Sequence, residues 1–417
     1  MAMRCARELF AQICGRRILL AMQVAKLRHT FWRAHALVFT AAVVALSTVP
    51  ALRPVHAQGP AAAASNVVWQ MHDSGTTASL RGIHSVDGQI AWASGTGSTV
   101  LKTTDGGVHW ERCAIPDGEK DGATLDFRGV QAWDAETAIV MASGPGEKSR
   151  LYKTTDGCKT WKLVFKNPDK DGFWDAVRFF DRAKGVLIGD SVSGKLYARM
   201  TDDGGERWHP FNDDDGLKVG QQNAGFFAAS NSCLMLRPEH PYSIEAVANA
   251  GGSAEVYFAS FGTICSPASS SIKPQCHDGW DWDAPEGTAI PSNGGSRGVF
   301  SLGWAMNQNG GIRAEVIAGG DYTKPNDSTG TAAWTADGGL HWTASATPPH
   351  GYRSSVQWSE PEELWITAGT NGSDISRDDG RTWQPLDDGN WNALSLPFVV
   401  GPKGRTARLN PSALPKP

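Results

Sequence analysis

The sequence predicts an all-β fold, a seven-bladed β-propeller of four-stranded blades closed by an N-terminal strand in the last blade. Three observations carry this. A motif of the form [S/T]-x-D-x-[G/C]-x-x-W occurs five times, and most of its copies are spaced like propeller blades. The 47 Gly and 17 Trp, with few long helix-period apolar runs, point to many short strands joined by tight turns.

The chain opens on a segment unlike the rest. Basic residues (Arg4, Arg7, Arg16, Arg17, Lys26, Arg28, Arg33) precede an apolar run from Ala36 to Val49 and the small-residue site Val55-His56-Ala57. That order is a signal peptide over 1–57, with a short linker over 58–65. The apolar run falls short of the roughly 20 residues of a spanning helix, so no stable membrane insertion is expected once the signal is removed. The mature chain is therefore expected in the periplasm or outside the cell.

The propeller is expected over 66–410. Its first motif runs Thr103-Thr104-Asp105-Gly106-Gly107-Val108-His109-Trp110, and the others centre on Asp156 with Trp161, Asp203 with Trp208, Asp337 with Trp342 and Asp378 with Trp383. The Asp carboxylate can accept from N–H groups of its own turn, and the Gly supplies the positive φ of a tight reversal. The Trp starts the next strand and packs over the turn. These aspartates and tryptophans are read as structural.

The aspartates step by 51, 47, 134 and 41 residues. The long step is about three periods of ~45, so two blade boundaries between 203 and 337 are expected to have lost the motif or absorbed insertions. Within that interval 265–293, rich in Ser, Pro and Gly, is expected to be an inserted loop. After the last motif come three strand-like segments, Trp391 to Leu394, Phe398 to Gly401 and Arg405 to Leu409, with no fourth. Val67-Val68-Trp69-Gln70 supplies it, pairing the two ends of the chain in one blade and removing exposed sheet edges. Residues 411–417 form a C-terminal tail. Seven blades result, with six or eight left open by the stretch from 209 to 300.

Composition excludes some functions. A net charge of −4 offers no basic field to a nucleic-acid backbone. No CxxC, HExxH or clustered His/Cys spacing supports a metal site, and no cofactor motif occurs. Asn167-x-Asp169-x-Asp171-Gly172 imitates a calcium loop, but Arg178 stands where a bidentate Glu is needed, so a plain turn is read there. Outside the leader lie Cys113, Cys158, Cys233, Cys265 and Cys276; the first pairing expected is Cys265 with Cys276, the second Cys113 with Cys158.

The five motifs resemble the Asp boxes (BNR repeats) of sialidases, sortilin-type propellers and the photosystem II stability/assembly factor family. Leu151-Tyr152-Lys153-Thr154-Thr155-Asp156-Gly157 and Val100 to Gly107 look most like the assembly-factor-like bacterial proteins. That resemblance implies a scaffold that holds partner proteins in the lumen or periplasm. The sialidase resemblance implies three arginines on a substrate carboxylate and a Tyr nucleophile. The chain departs from it, with no Arg-Ile-Pro before the first box and only six Tyr.

Aligned inner strands give a column of small residues, Gly82, Gly129, Ala176, Ser301, Ser355 and Ala393, suited to close packing at the axis. Just before them stand Arg81, Arg128, Asp175, Phe300, Ser354 and Asn392, with Arg353 one position earlier; Asp190, Asp321 and Tyr322 project from two similar loops to the same face. Arg81, Arg128, Arg353, Asn392 and Tyr322 are the candidate ligand-binding residues, the arginines for an anionic group. Asp175, Asp190 and Asp321 are candidates for acid/base work or for sugar hydroxyls. The alternative is that these groups satisfy one another along a wet channel. The sequence is thus read as a monomeric, exported, non-catalytic binding or assembly-scaffold propeller with a protein or carbohydrate partner. The alternative is a glycoside hydrolase or lyase acting on an anionic carbohydrate at the channel mouth; a carboxylate pair at glycosidase separation would favour it.

Overall fold

The computed structural model describes residues 67–114, 124–211, 217–218, 225–238, 242–249, 251–265, 276–283, 286–293 and 295–416; the expected signal peptide and linker lie outside them. Seven antiparallel sheets follow one another along the chain. From axis to rim, blade 1 is Leu80–Ser85, Ala91–Gly95, Thr99–Thr103 and Glu111–Arg112. Blade 2 is Phe127–Ala132, Ala138–Ala142, Arg150–Thr154 and Lys162–Lys166. Blade 3 is Trp174–Phe179, Gly185–Val192, Lys195–Thr201 and His209–Pro210, with Leu217–Lys218 added. Blade 4 begins Leu234–Arg237, Ser243–Asn249 and Gly251–Cys265. Blade 5 is Arg297–Met306, Ile312–Asp321, Ala332–Thr335 and Thr343–Ala344, and blade 6 is Ser355–Ser359, Leu364–Gly369, Gly372–Ser376 and Gln384–Asp387. Blade 7 joins Ala393–Ser395, Phe398–Val400 and Thr406–Leu409 to the N-terminal Trp69–His72, which pairs with Thr406–Leu409. The ring is closed by the two ends of the chain.

The interval between the boxes at 203 and 337 holds one boxless blade, not two lost boundaries. Blade 4 absorbs the extra length because its third strand is 15 residues long and carries two partners on one edge. Cys276–Trp282 pairs with its far half and Glu286–Asn293 with its near half. Most of the expected loop at 265–293 is therefore strand. Its register sets Cys265 opposite Cys276, while the connection 266–275 lies outside the described residues. Trp280 is buried there, stacked on Phe211 with ring centroids 4.5 Å apart, and so packs against blade 3.

Each box is a closed hydrogen-bond unit. In the first, Thr103 Oγ1 donates to Asp105 Oδ1 (2.9 Å), Gly107 N–H donates to Thr103 Oγ1 (3.0 Å) and His109 N–H donates to Asp105 Oδ1 (2.9 Å). The Asp-to-(i+4) N–H bond recurs at Asp156, Asp203, Asp337 and Asp378. Trp208 and Trp383 donate their indole N–H back to the turn, at Gly205 O and Gly380 O. In the second box Cys158 replaces the glycine and keeps its left-handed backbone, φ +68°. A disulfide ties it to Cys113 just beyond the outer strand of blade 1. Cys233 is buried and free.

Apolar clusters fill the gaps between blades, each joining residues of neighbouring sheets; one packs Trp69 and Leu409 of blade 7 against Leu364, Ile366 and Ile375 of blade 6. Every blade thus buries both faces, the means by which a ring of small sheets becomes one core.

Candidate functional site

Four inner strands begin with a β-bulge. The register slips between Leu80 and Gly82, Phe127 and Gly129, Trp174 and Ala176, and Val299 and Ser301. The extra residues are Arg81, Arg128, Asp175 and Phe300. A bulge turns its side chain out of the strand's two-residue alternation, and all four point into one pocket at the end of the axis away from the boxes. A fifth bulge, between Gly189 and Ser191, adds Asp190 from the second strand of blade 3 itself.

The pocket has a volume of about 780 Å³ and also takes in Tyr322, Tyr352, Ser354 and Asn392. Its floor is the segment leading into blade 4. Ser230 and Asn231 have left-handed backbones, φ +57° and +62°, and turn the chain across the axis. Ile83 N–H of blade 1 donates to Ser230 Oγ (3.1 Å). Asn231 Nδ2 donates to Val130 O of blade 2 (3.1 Å), and its Oδ1 accepts from Val177 N–H of blade 3 (3.1 Å). Ser232 O accepts from Leu302 N–H of blade 5 (3.0 Å), and Ser232 Oγ reaches the carbonyls of Phe300 and Ser354 (3.2 Å each). The axis is therefore plugged, not a continuous wet channel. Beneath the plug a second chamber of about 300 Å³ is lined by residues further along the same strands, among them Ile83, Val130, Leu302 and Leu394. The small residues between the two levels make room for the plug: a Cβ added at Gly129 would stand 2.4 Å from Asn231 Oδ1.

On one wall a single carboxylate holds both arginines. Arg128 Nε donates to Asp126 Oδ2 (2.9 Å), and Arg81 Nε stands 3.4 Å from Asp126 Oδ1. Asn392 Nδ2 donates to Leu80 O (2.7 Å) and Ser79 Oγ (3.1 Å), fastening blade 7 to blade 1 at the rim. Across the pocket the rings of Phe227 and Phe300 stack in parallel at 3.8 Å, with Tyr352 edge-on to Phe300 at 4.8 Å.

The remaining wall is acidic. Asp175 is almost fully buried, and neither of its oxygens makes a hydrogen bond of good geometry to a backbone or side-chain donor. Burial, reinforced by the adjacent Asp190 carboxylate, pushes its pKa well above the carboxylate range against the pull of Arg128. Asp190 accepts from Phe226 N–H (2.9 Å), and burial raises it to about 6. The charge of the neighbouring Asp190 thus adds to burial in favouring the neutral form of Asp175.

Two of the residues expected at this face lie elsewhere. Arg353 is completely buried, donating from Nε to Asp374 Oδ2 (2.6 Å) and from Nη1 to Tyr352 O (2.7 Å), while His350 Nδ1 meets Asp374 Oδ1 at 2.7 Å. Standing one position before Ser354, it follows the opposite phase of the strand and points back into blade 6. Asp321 accepts from the Thr323 N–H and hydroxyl (3.0 and 2.7 Å) as a turn cap, so it does not join Asp175 and Asp190. Tyr322 beside it does line the pocket. Asp126, the plug and the aromatic wall escape the motif reading; the run Ser230-Asn231-Ser232 before an inner strand was their one visible trace. Asn167 Oδ1 and Asp169 Oδ1 cap their own turn, accepting from the N–H groups of Asp169 (3.1 Å) and Asp171 (3.0 Å), and no metal-ligating cluster occurs among the described residues.

A closed ring of seven blades with five Asp boxes and a plugged, polar mouth defines a BNR-type β-propeller. Residues 61–231 match the family described as photosynthesis system II assembly factor YCF48. The photosystem II assembly lipoprotein Ycf48 of a Picosynechococcus species is 26% identical over 206 residues, covering 40% of this chain and 58% of the relative. The alignments span between 40% and 62% of the length of the curated relatives they match. Among solved structures, YCF48 from Cyanidioschyzon merolae superposes with a TM-score of 0.56 at 20% identity, covering 83% of this chain and all of that one. A YCF48 bound to D1 peptide superposes with a TM-score of 0.52 at 16% identity, covering 84% and 99%. At these identities the structural likeness shows the fold.

Proposed function

We propose that this chain is an exported, non-catalytic scaffold that holds an extended segment of a partner protein in the plugged mouth of its propeller. The observation that carries this reading is the set of five bulges that turn Arg81, Arg128, Asp175, Asp190 and Phe300 into one blind pocket. A fold spends regular pairing on such bulges where side chains must be re-aimed, and convergent polar groups in a concavity are the usual mark of a binding site. The distant family match and the peptide held by one structural neighbour support a polypeptide as the ligand. The Cys113–Cys158 disulfide supports an oxidising compartment.

The test is calorimetric titration of the chain with a panel of extended peptides of varied charge, beside the Arg81→Ala/Arg128→Ala double variant. Binding near micromolar affinity that the double variant weakens about tenfold or more supports the reading. Equal binding by both proteins, or none by either, removes it.

A further inference from the structure

The Arg81 and Arg128 wall is already half neutralised by Asp126, and the pocket carries more acid than base. Asp171, Asp175 and Asp190 line it beside the two arginines. A purely anionic ligand would leave the Asp175–Asp190 pair in the same uncompensated state in which the structure holds it, with Asp175 buried and unbonded. Burying a carboxyl without a partner is unfavourable unless something supplies one. One side of Asp190 is covered by the Gly225–Phe226 backbone, which comes so close that an added Cβ at Gly225 would stand 2.3 Å from Asp190 Oδ1; Asp175 and Asp190 both still line the pocket. Another wall of the pocket is aromatic, with Phe300 packed against both Phe227 and Tyr352. Carboxylates together with aromatic faces are the chemistry that receives an alkylammonium group. The plug closes the floor, so a chain end or a single long side chain can enter but nothing can thread through.

We propose that Asp175 and Asp190 form a subsite for a primary ammonium group, making the preferred ligand dipolar, with its anionic or carbonyl oxygens toward Arg81 and Arg128. This rests on the reading of the mouth as the ligand site. On binding, the ammonium replaces a proton that burial holds on these carboxyls, and that proton goes to solvent. Affinity therefore rises with pH. The groups facing the pair are Arg128 from blade 2, Cys233 from the plug and Asp171 from the loop before blade 3. Burial pushes the Cys233 thiol up, so it stays protonated through the same range.

The ammonium has two sources, a lysine side chain or a polypeptide N-terminus. The probes are Nα-acetyl-lysine methylamide for the first and alanyl-alanine amide for the second, each with its fully acetylated counterpart. They are titrated calorimetrically into the whole chain near pH 5 and near pH 8, in two buffers of different ionisation enthalpy. The expected result is that one of the two binds about tenfold or more tightly at the higher pH, releasing about one proton, and that its acetylated form does not bind. Asp190→Asn removes the pH dependence and weakens binding about tenfold. Absence of binding by both amines up to about 10 mM overturns the proposal, as does binding that acetylation or Asp190→Asn leaves unchanged. Should Asp190→Asn fail to fold, the pH and acetylation arms on the unaltered chain decide. Loss of the amine result with retained acidic-peptide binding sinks this inference alone; the reverse sinks the peptide reading and leaves the subsite.

Discussion

Arg128 Nε donates to Asp126 Oδ2 at 2.9 Å, two residues back along its own chain, so this cation of the mouth comes with its counterion built in. Arg81 shares the same carboxylate. Removing that charge without changing shape should leave two guanidinium groups facing the pocket uncompensated. Asp126→Asn is expected to raise affinity for acidic peptides about three- to tenfold at low salt, with the gain shrinking as salt is added. Titration at two ionic strengths checks it. Weaker binding would show instead that Asp126 orients the arginines.

Asn231 bridges blades 2 and 3 from the axis through its amide, with the left-handed backbone that asparagine tolerates best after glycine. Asn231→Ala leaves Val177 N–H and Val130 O without partners and keeps an unfavourable φ. The expected loss is about 2–4 kcal/mol, read as a lower denaturation midpoint. A variant of unchanged stability would mean that the plug adds nothing to the ring.

The Cys113–Cys158 link closes 45 residues between the rim of blade 1 and the box of blade 2. Chain entropy gives such a link about 2–4 kcal/mol. Cys113→Ser/Cys158→Ser should melt several degrees lower. Because Cys158 holds φ +68°, Cys113→Ser/Cys158→Gly should recover about 1 kcal/mol of the loss. Differential scanning calorimetry of the three proteins separates the two effects.

Asp190 supplies a pH signature. Its pKa is about 6 in the fold, raised by burial from an ordinary value near 3.8. A raised folded value means that its contribution is fully present below about pH 4 and is lost as pH rises through about 6. Asp190→Asn should therefore stabilise the protein by about 1–3 kcal/mol near pH 7.5 and change little near pH 4. Thermal melts at the two pH values check it; equal shifts at both would mean the carboxyl does not titrate in the fold.

The repeat made the architecture legible because each box encodes a complete local unit, with acceptor, positive-φ residue and ring within eight residues of chain. Blade 4 was not legible: its third strand ends in a hairpin without a box, and its outer edge is covered by two strands instead of one. At four of the six small inner-strand positions the preceding residue points to the pocket because a bulge sits there, which is why Arg81, Arg128, Asp175 and Phe300 converge. Arg353 had no such bulge and fell on the other side of its strand. The clamp by Asp126 and the plug by Asn231 depend on contacts between blades, which spacing within one repeat does not carry.

The central claim, that a partner is held at the plugged mouth and not on the box face, is tested most directly by photo-crosslinking in the living host. One protein carries the crosslinker at Tyr322, which is 49% exposed at the mouth; a second carries it at Leu340, which is 59% exposed on a box turn. The account predicts a discrete polypeptide adduct from position 322, absent from position 340 and lost in the Arg81→Ala/Arg128→Ala background. Adducts from position 340 alone would contradict it.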